Sequence, residues 1–136
     1  IIAIGSMVSA ALDAADLLER RGIEATVVNA RFAKPLDSEL ILKVAHSTQR
    51  VLTVEENALA GGFGSAVLQL IHTAWLHHVP IVSMGLPDEF VAQGPPELLR
   101  AQYGLDGHGI ASRVLDSFPE LAARKTSVRE AGTIRG

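Results

Sequence analysis

Cysteine is absent from the chain. That excludes a disulfide framework and any thiolate metal site. Aromatic residues make up only 4% of the sequence, whereas apolar residues reach 48%. The packing therefore falls to Ala, Val, Leu and Ile, as in α/β proteins whose sheet is covered on both faces. An excess of positive charge is lacking too: 12 Lys and Arg stand against 15 Asp and Glu, a net charge of −3. No basic face for nucleic acid follows from such a balance. No apolar stretch reaches spanning length, and no charged start with a small-residue cleavage site marks a signal peptide. The expectation is a cytoplasmic α/β protein that partners neither nucleic acid nor membrane. Its 136 residues suit one domain with a sizeable core.

What is present alternates regularly. IIAIG, Ile1 to Gly5, reads as a buried strand with no leading turn, so the chain is expected to be part of a longer protein. Apolar residues at Val8, Ala11, Leu12, Ala15 and Leu18 predict a helix that stops at Gly22. Glu24 to Ala30 is β-branched and short, a second strand. Pro35 forces an extended approach, and Asp37 is an N-cap for a helix over SELILKVAHST. Arg50 to Glu56 reads as a third strand. Ser65 to Leu76 reads as an apolar helix with Ala66, Leu70 and Trp75 near one face. Val79 to Gly85 reads as a fourth strand. Two short helices follow, Pro96 to Tyr103 and Gly107 to Phe118, the latter behind an Asp106 cap. The tail 122–136 is polar, after a domain over 1–121.

Strands alternating with helices specify βαβ units and a three-layer α/β/α domain, with a mainly parallel sheet of about four to five strands. Such sheets place functional loops beyond the C-terminal strand ends. Those loops are Gly5-Ser6, Asn29 to Asp37, Glu55 to Gly64, and Gly85 to Pro96, and they carry nearly all the unusual residues. GGFG at Gly61 to Gly64 precedes a helix, so its amides could cradle a phosphate. The Walker pattern would end in Lys and Ser/Thr, which is lacking here. Alternatively, Gly62 and Gly64 supply left-handed turn angles and close helix–sheet packing. Glu55 and Glu56 are consecutive in a strand and point to opposite faces. They cannot converge on one bond as an acid/base pair. They serve either as structural anchors, with at least one buried and either accepting hydrogen bonds from nearby backbone N–H groups or paired to Arg31 or Lys34, or as ligand or interface groups. The histidines lack metal-ligand spacing, and no nucleophile elbow is present. No catalytic, cofactor-binding or metal residue is therefore assigned.

Four motifs carry a resemblance: RFAKPLD at Arg31 to Asp37, VEEN at Val54 to Asn57, GGFGS at Gly61 to Ser65, and GLPD at Gly85 to Asp88. With them, the chain from Ile1 to about Leu121 resembles the transketolase C-terminal domain family. That domain closes transketolases, 2-oxo-acid dehydrogenase β subunits and 1-deoxy-D-xylulose-5-phosphate synthases, and the GLDGHGI segment ending at Ile110 looks most like the synthases. The resemblance implies an enzyme using thiamine diphosphate and Mg2+, held by preceding domains, that condenses pyruvate with glyceraldehyde 3-phosphate. The Gly-Asp-Gly cofactor signature is not found here, so no cofactor is expected on this part and it is expected to be inactive alone. The implied partners are upstream domains and a second copy in a homodimer. The family also implies an antiparallel edge strand before Ile1, leaving an exposed edge beside the first strands. Arg31, Lys34, Asp37, Glu55, Glu56, Asn57, Gly61, Gly62, Gly64, Ser65 and Asp88 are the candidate structural, interface or anion-binding residues. An anionic-metabolite-binding regulatory module and a small hydrolase or transferase remain the other readings.

Overall fold

A computed structural model describes residues 1–89 and 93–123. Nine elements follow one another: β1 Ile2–Ala3, α1 Met7–Glu19, β2 Val28–Asn29, α2 Ser38–Thr48, β3 Val51–Ala58, α3 Phe63–Thr73, β4 Ile81–Leu86, α4 Pro96–Gln102 and α5 Gly107–Ser117. The strands form one parallel sheet in the order β2-β1-β3-β4. β1 thus has a neighbour on each side, and the open edges are β2 and β4.

Alternation along the strands sends residues into two cores, because successive side chains leave a strand on opposite faces. Ala3, Leu52 and Val54 meet α1 and α5 through Met7, Ala11, Leu18, Ile110 and Val114. Ile2, Val28 and Val51 meet α2 and α3 through Ile41, Ala45, Val67 and Ile71. This is the three-layer α/β/α arrangement expected from the alternating pattern. Asp37 caps α2 by accepting from the Leu40 amide at 3.1 Å, and Asp106 caps α5 by accepting from Gly109 at 2.7 Å.

Several boundaries differ from the sequence reading: the first strand, expected over Ile1 to Gly5, is Ile2–Ala3, and the fourth, expected over Val79 to Gly85, is Ile81–Leu86. The second strand, expected over Glu24 to Ala30, is a ladder at Val28–Asn29 alone. Its neighbour β1 offers two ladder residues, and a β-branched run cannot hydrogen-bond beyond the end of its partner. β3 runs on to Ala58, where it rejoins β4 at Leu86 after a register shift. α3 starts at Phe63, two residues early, and its buried seam is Phe63, Val67 and Ile71 rather than Ala66, Leu70 and Trp75. Trp75 lies past the helix end with φ 62, 79% exposed, because the left-handed turn swings it off the apolar face. The polar tail falls almost wholly outside the described residues.

Leu18 is fully buried where α1 packs on the sheet. Leu18→Ala is expected to cost about 2–5 kcal/mol, from lost transfer energy and the cavity left behind. Urea denaturation checks this, and an unchanged midpoint would remove α1 from the core.

Candidate functional site

The loops at the C-terminal end of the sheet hold the candidate residues, and the carboxylate of Glu55 organises the largest group. Positions 51, 53 and 55 of β3 face α2 and α3, so Glu55 points beneath the start of α3. It is 1% exposed. Its Oε2 accepts from the Phe63 amide and its Oε1 from the Gly64 amide, each at 2.9 Å. The first amides of a helix have no partner within the helix, and the helix dipole favours an anion there. Burial of the carboxylate is offset by two charge-assisted hydrogen bonds.

The glycines make room for this contact. A Cβ on Gly62 would lie 2.5 Å from Glu55 Oε2 and 2.5 Å from the Ala58 carbonyl oxygen. A Cβ on Gly64 would lie 2.7 Å from Thr53 Oγ1 and 2.8 Å from Ser83 Oγ, two hydroxyls that bond to each other at 3.0 Å. The expected positive φ at Gly62 or Gly64 is not found. Gly62 is extended and Gly64 is helical, while Gly61 takes the left-handed turn at φ 68. Closeness of approach, not backbone angle, sets the need for glycine at Gly62 and Gly64. Ser65 donates its hydroxyl to the Leu59 carbonyl at 2.9 Å and closes the turn.

Glu56 leaves β3 on the opposite face. It accepts from Ser6 Oγ at the start of α1 and pairs with Arg100 of α4, Nε to Oε1 at 3.0 Å and Nη2 to Oε2 at 3.1 Å. These hydrogen bonds, from Arg100 first and Ser6 second, hold its pKa below the ordinary 4.5. The same pairing raises Arg100. Of the two alternatives expected for a buried glutamate, backbone hydrogen bonds are what Glu55 makes, whereas Arg31 and Lys34 are elsewhere, because β1 lies between β2 and β3 and keeps the two loops a strand apart. Arg100 and Ser6 were not singled out from the sequence. Each is about 50 or fewer residues from Glu56 in the chain, but no local pattern links them.

The remaining candidates scatter. Arg31, Lys34 and Asp37 sit on the loop after β2, Asn57 is exposed on β3, and Asp88 is exposed beyond β4. Arg31 has φ 51, and its amide donates to Asn29 Oδ1 at 3.1 Å. The ring of His77 packs edge-on against His72 and Trp75 on the outer surface. Both oxygens of Glu55 are occupied by backbone amides, and Glu56 is held as an ion pair with Arg100. The Phe63 and Gly64 amides, taken by the chain's own carboxylate, are not offered to an external phosphate.

The family model for the transketolase C-terminal domain matches residues 1–110. A 1-deoxy-D-xylulose-5-phosphate synthase of Heliobacterium modesticaldum is 50% identical over 131 residues, covering 96% of this chain and 20% of the relative. The synthase 1 of Geobacter sulfurreducens is 54% identical over 112 residues, covering 82% and 18%. Among solved structures, a split gene transketolase described as an inactive beta4 tetramer is similar at TM-score 0.78 and 36% identity, covering 87% of this chain and 38% of that one. The chain spans about a fifth of the length of the curated relatives it matches.

Two outcomes are expected from this geometry. Glu55→Ala strands two buried N–H groups, each worth about 1–3 kcal/mol, and Gly64→Val forces Thr53 and Ser83 apart. Both variants should unfold at markedly lower denaturant, and a parent-like midpoint in both would show that the loop is not structural. Glu56 has its pKa depressed in the folded state, so its contribution is present above the unfolded value of 4.5 and is lost as pH falls through the folded value. The stability difference between the parent and Glu56→Gln should therefore be present at neutral pH and shrink on acidification below about 4.5. A pH-independent difference would remove the ion pair as its cause.

Proposed function

Because the chain belongs to the transketolase C-terminal domain family, we propose that it is the C-terminal structural and interface domain of a thiamine-diphosphate-dependent 1-deoxy-D-xylulose-5-phosphate synthase. The whole enzyme would join pyruvate to glyceraldehyde 3-phosphate with loss of CO2, feeding isoprenoid, thiamine and pyridoxal synthesis. The observation that carries this reading is the 50% identity to a synthase across 96% of the chain. The curated relatives compared above are synthases at 50% and 54% identity, against 36% for the transketolase structure, and this favours the synthase among the enzymes that share the domain.

The groups present do not fit thiamine diphosphate or Mg2+. Among the described residues no three His, Cys, Asp or Glu side chains gather to hold a metal ion. The glycine-turn amides that might have met a diphosphate are closed by Glu55. In this reading the cofactor contacts come from upstream domains, and the present domain supplies a rigid sheet edge on which they rest. A cytoplasmic homodimer is part of the same proposal.

The test is a fusion of this chain to the preceding domains of the Heliobacterium relative, in place of that enzyme's own last part. The fusion is expected to turn over pyruvate and glyceraldehyde 3-phosphate, and the chain alone is expected to give none. Titrating the chain alone with thiamine diphosphate and Mg2+ should show no saturable heat. Micromolar binding, or an inactive fusion with a folded C-terminal part, would overturn the assignment.

A further inference from the structure

The loop after β2 encloses a groove that the Glu55 contacts leave untouched. It holds about 430 Å³ and is lined by Val28, Ala30, Arg31, Phe32, Leu36 and Leu40 among others. Three properties coincide there. Phe32 is 65% exposed and Leu40 38%, so an apolar wall stands open to water. Arg31 keeps a left-handed backbone, a conformation disfavoured for a side chain of its size. Arg31 and Lys34 are both exposed, and the ion pairs among the described residues, Arg50–Glu120 and Arg100–Glu56, involve neither.

Solvated surface loops of this length ordinarily present polar tips. Asp37 also lines the groove, with one carboxylate oxygen taken by the Leu40 amide, while Arg31 in the lining and Lys34 on the same loop make no ion pair among the described residues. An exposed aromatic ring beside such cations has the composition of a docking surface, with an apolar centre and a charged rim. We propose that this groove seats an acidic, apolar-anchored segment from the upstream part of the same enzyme. One aliphatic or aromatic side chain would enter between Phe32 and Leu40, while a flanking carboxylate meets Arg31 and Lys34. The inference rests on the domain assignment above and adds the place and chemistry of the contact.

Two observations select this occupant. About four-fifths of the length of each related synthase lies outside the part that this chain matches, so a large body of protein must meet the domain somewhere. The groove also pairs opposite requirements. A small anionic metabolite would satisfy the two cations but leave the phenyl ring in water, whereas a peptide with an apolar residue beside an acidic one satisfies both. The charge complementarity also steers association and fixes register.

The fused enzyme described above provides the experiment. Amide hydrogen exchange over residues 31–41 is compared between the chain alone and the active fusion, with Phe32→Ser and the pair Arg31→Glu/Lys34→Glu as variants. The fusion is expected to slow exchange over this segment at least tenfold. Each variant is expected to abolish that protection and to lower turnover by roughly an order of magnitude. The urea midpoint of the chain alone should stay unchanged, since these side chains are exposed. Equal exchange in the chain alone and in an active fusion overturns the docking site while leaving the domain assignment intact. A parent fusion without turnover overturns the assignment itself. Saturable binding of inorganic phosphate to the chain alone, lost in the double charge reversal, would overturn the peptide as occupant in favour of an anion.

Discussion

The contact between the Glu55 carboxylate and the Phe63 and Gly64 amides is the constraint on which the rest of this sheet edge depends. It fixes the end of β3 to the start of α3, and so sets the angle at which that helix lies across the sheet. A buried carboxylate held by a helix N-terminus is stable where a free one would not be, because desolvation is met by two hydrogen bonds and a favourable dipole. Once α3 is fixed, Phe63, Val67 and Ile71 are brought over Ile2, Val28 and Val51, and the second core closes.

On the other face the same strand uses its next residue for a different purpose. Glu56 joins the turn before α1 to α4, a helix with no buried residue of its own. Adjacent carboxylates thus anchor opposite layers, one tied to helix amides and the other to a guanidinium and a hydroxyl. The loop after β2 shows the contrasting case, with cations and an aromatic ring unanchored within the described structure.

Much of this was legible in the residues. The alternation of β-branched runs with periodic helices gave the layers, Asp37 and Asp106 gave two caps, and consecutive glutamates in a strand had to diverge. What escaped the sequence was partnership across the fold. The sequence offers Arg31 and Lys34, the cations nearest along the motif-bearing loops, as alternative partners for a buried glutamate, but strand order places β1 between them and β3, and Arg100 pairs with Glu56 instead. For Gly62 and Gly64 the sequence suggests both left-handed angles and close helix–sheet packing, and of the three turn glycines only Gly61 takes such an angle, while the close approach is found at the other two. Gly62 and Gly64 are required by atoms contributed from β3 and β4, and no local pattern announces such a neighbour. Trp75 misled the helix reading because it lies two residues past the end of α3 in a left-handed turn, off the apolar face.

The space that Glu55 occupies is the space a side chain at Gly62 would fill. The two positions therefore behave as one locus under mutation. An Ala at position 62 is harmful beside Glu55, and shortening that carboxylate relieves only part of the clash, because the Ala58 carbonyl oxygen lies as close and the amides are then stranded. The costs cannot add, because each single change creates a defect that the other partly relieves or replaces. Change at this turn is therefore closed on two sides, by a carboxylate and by the backbone of β3, and no substitution at position 55 alone opens it.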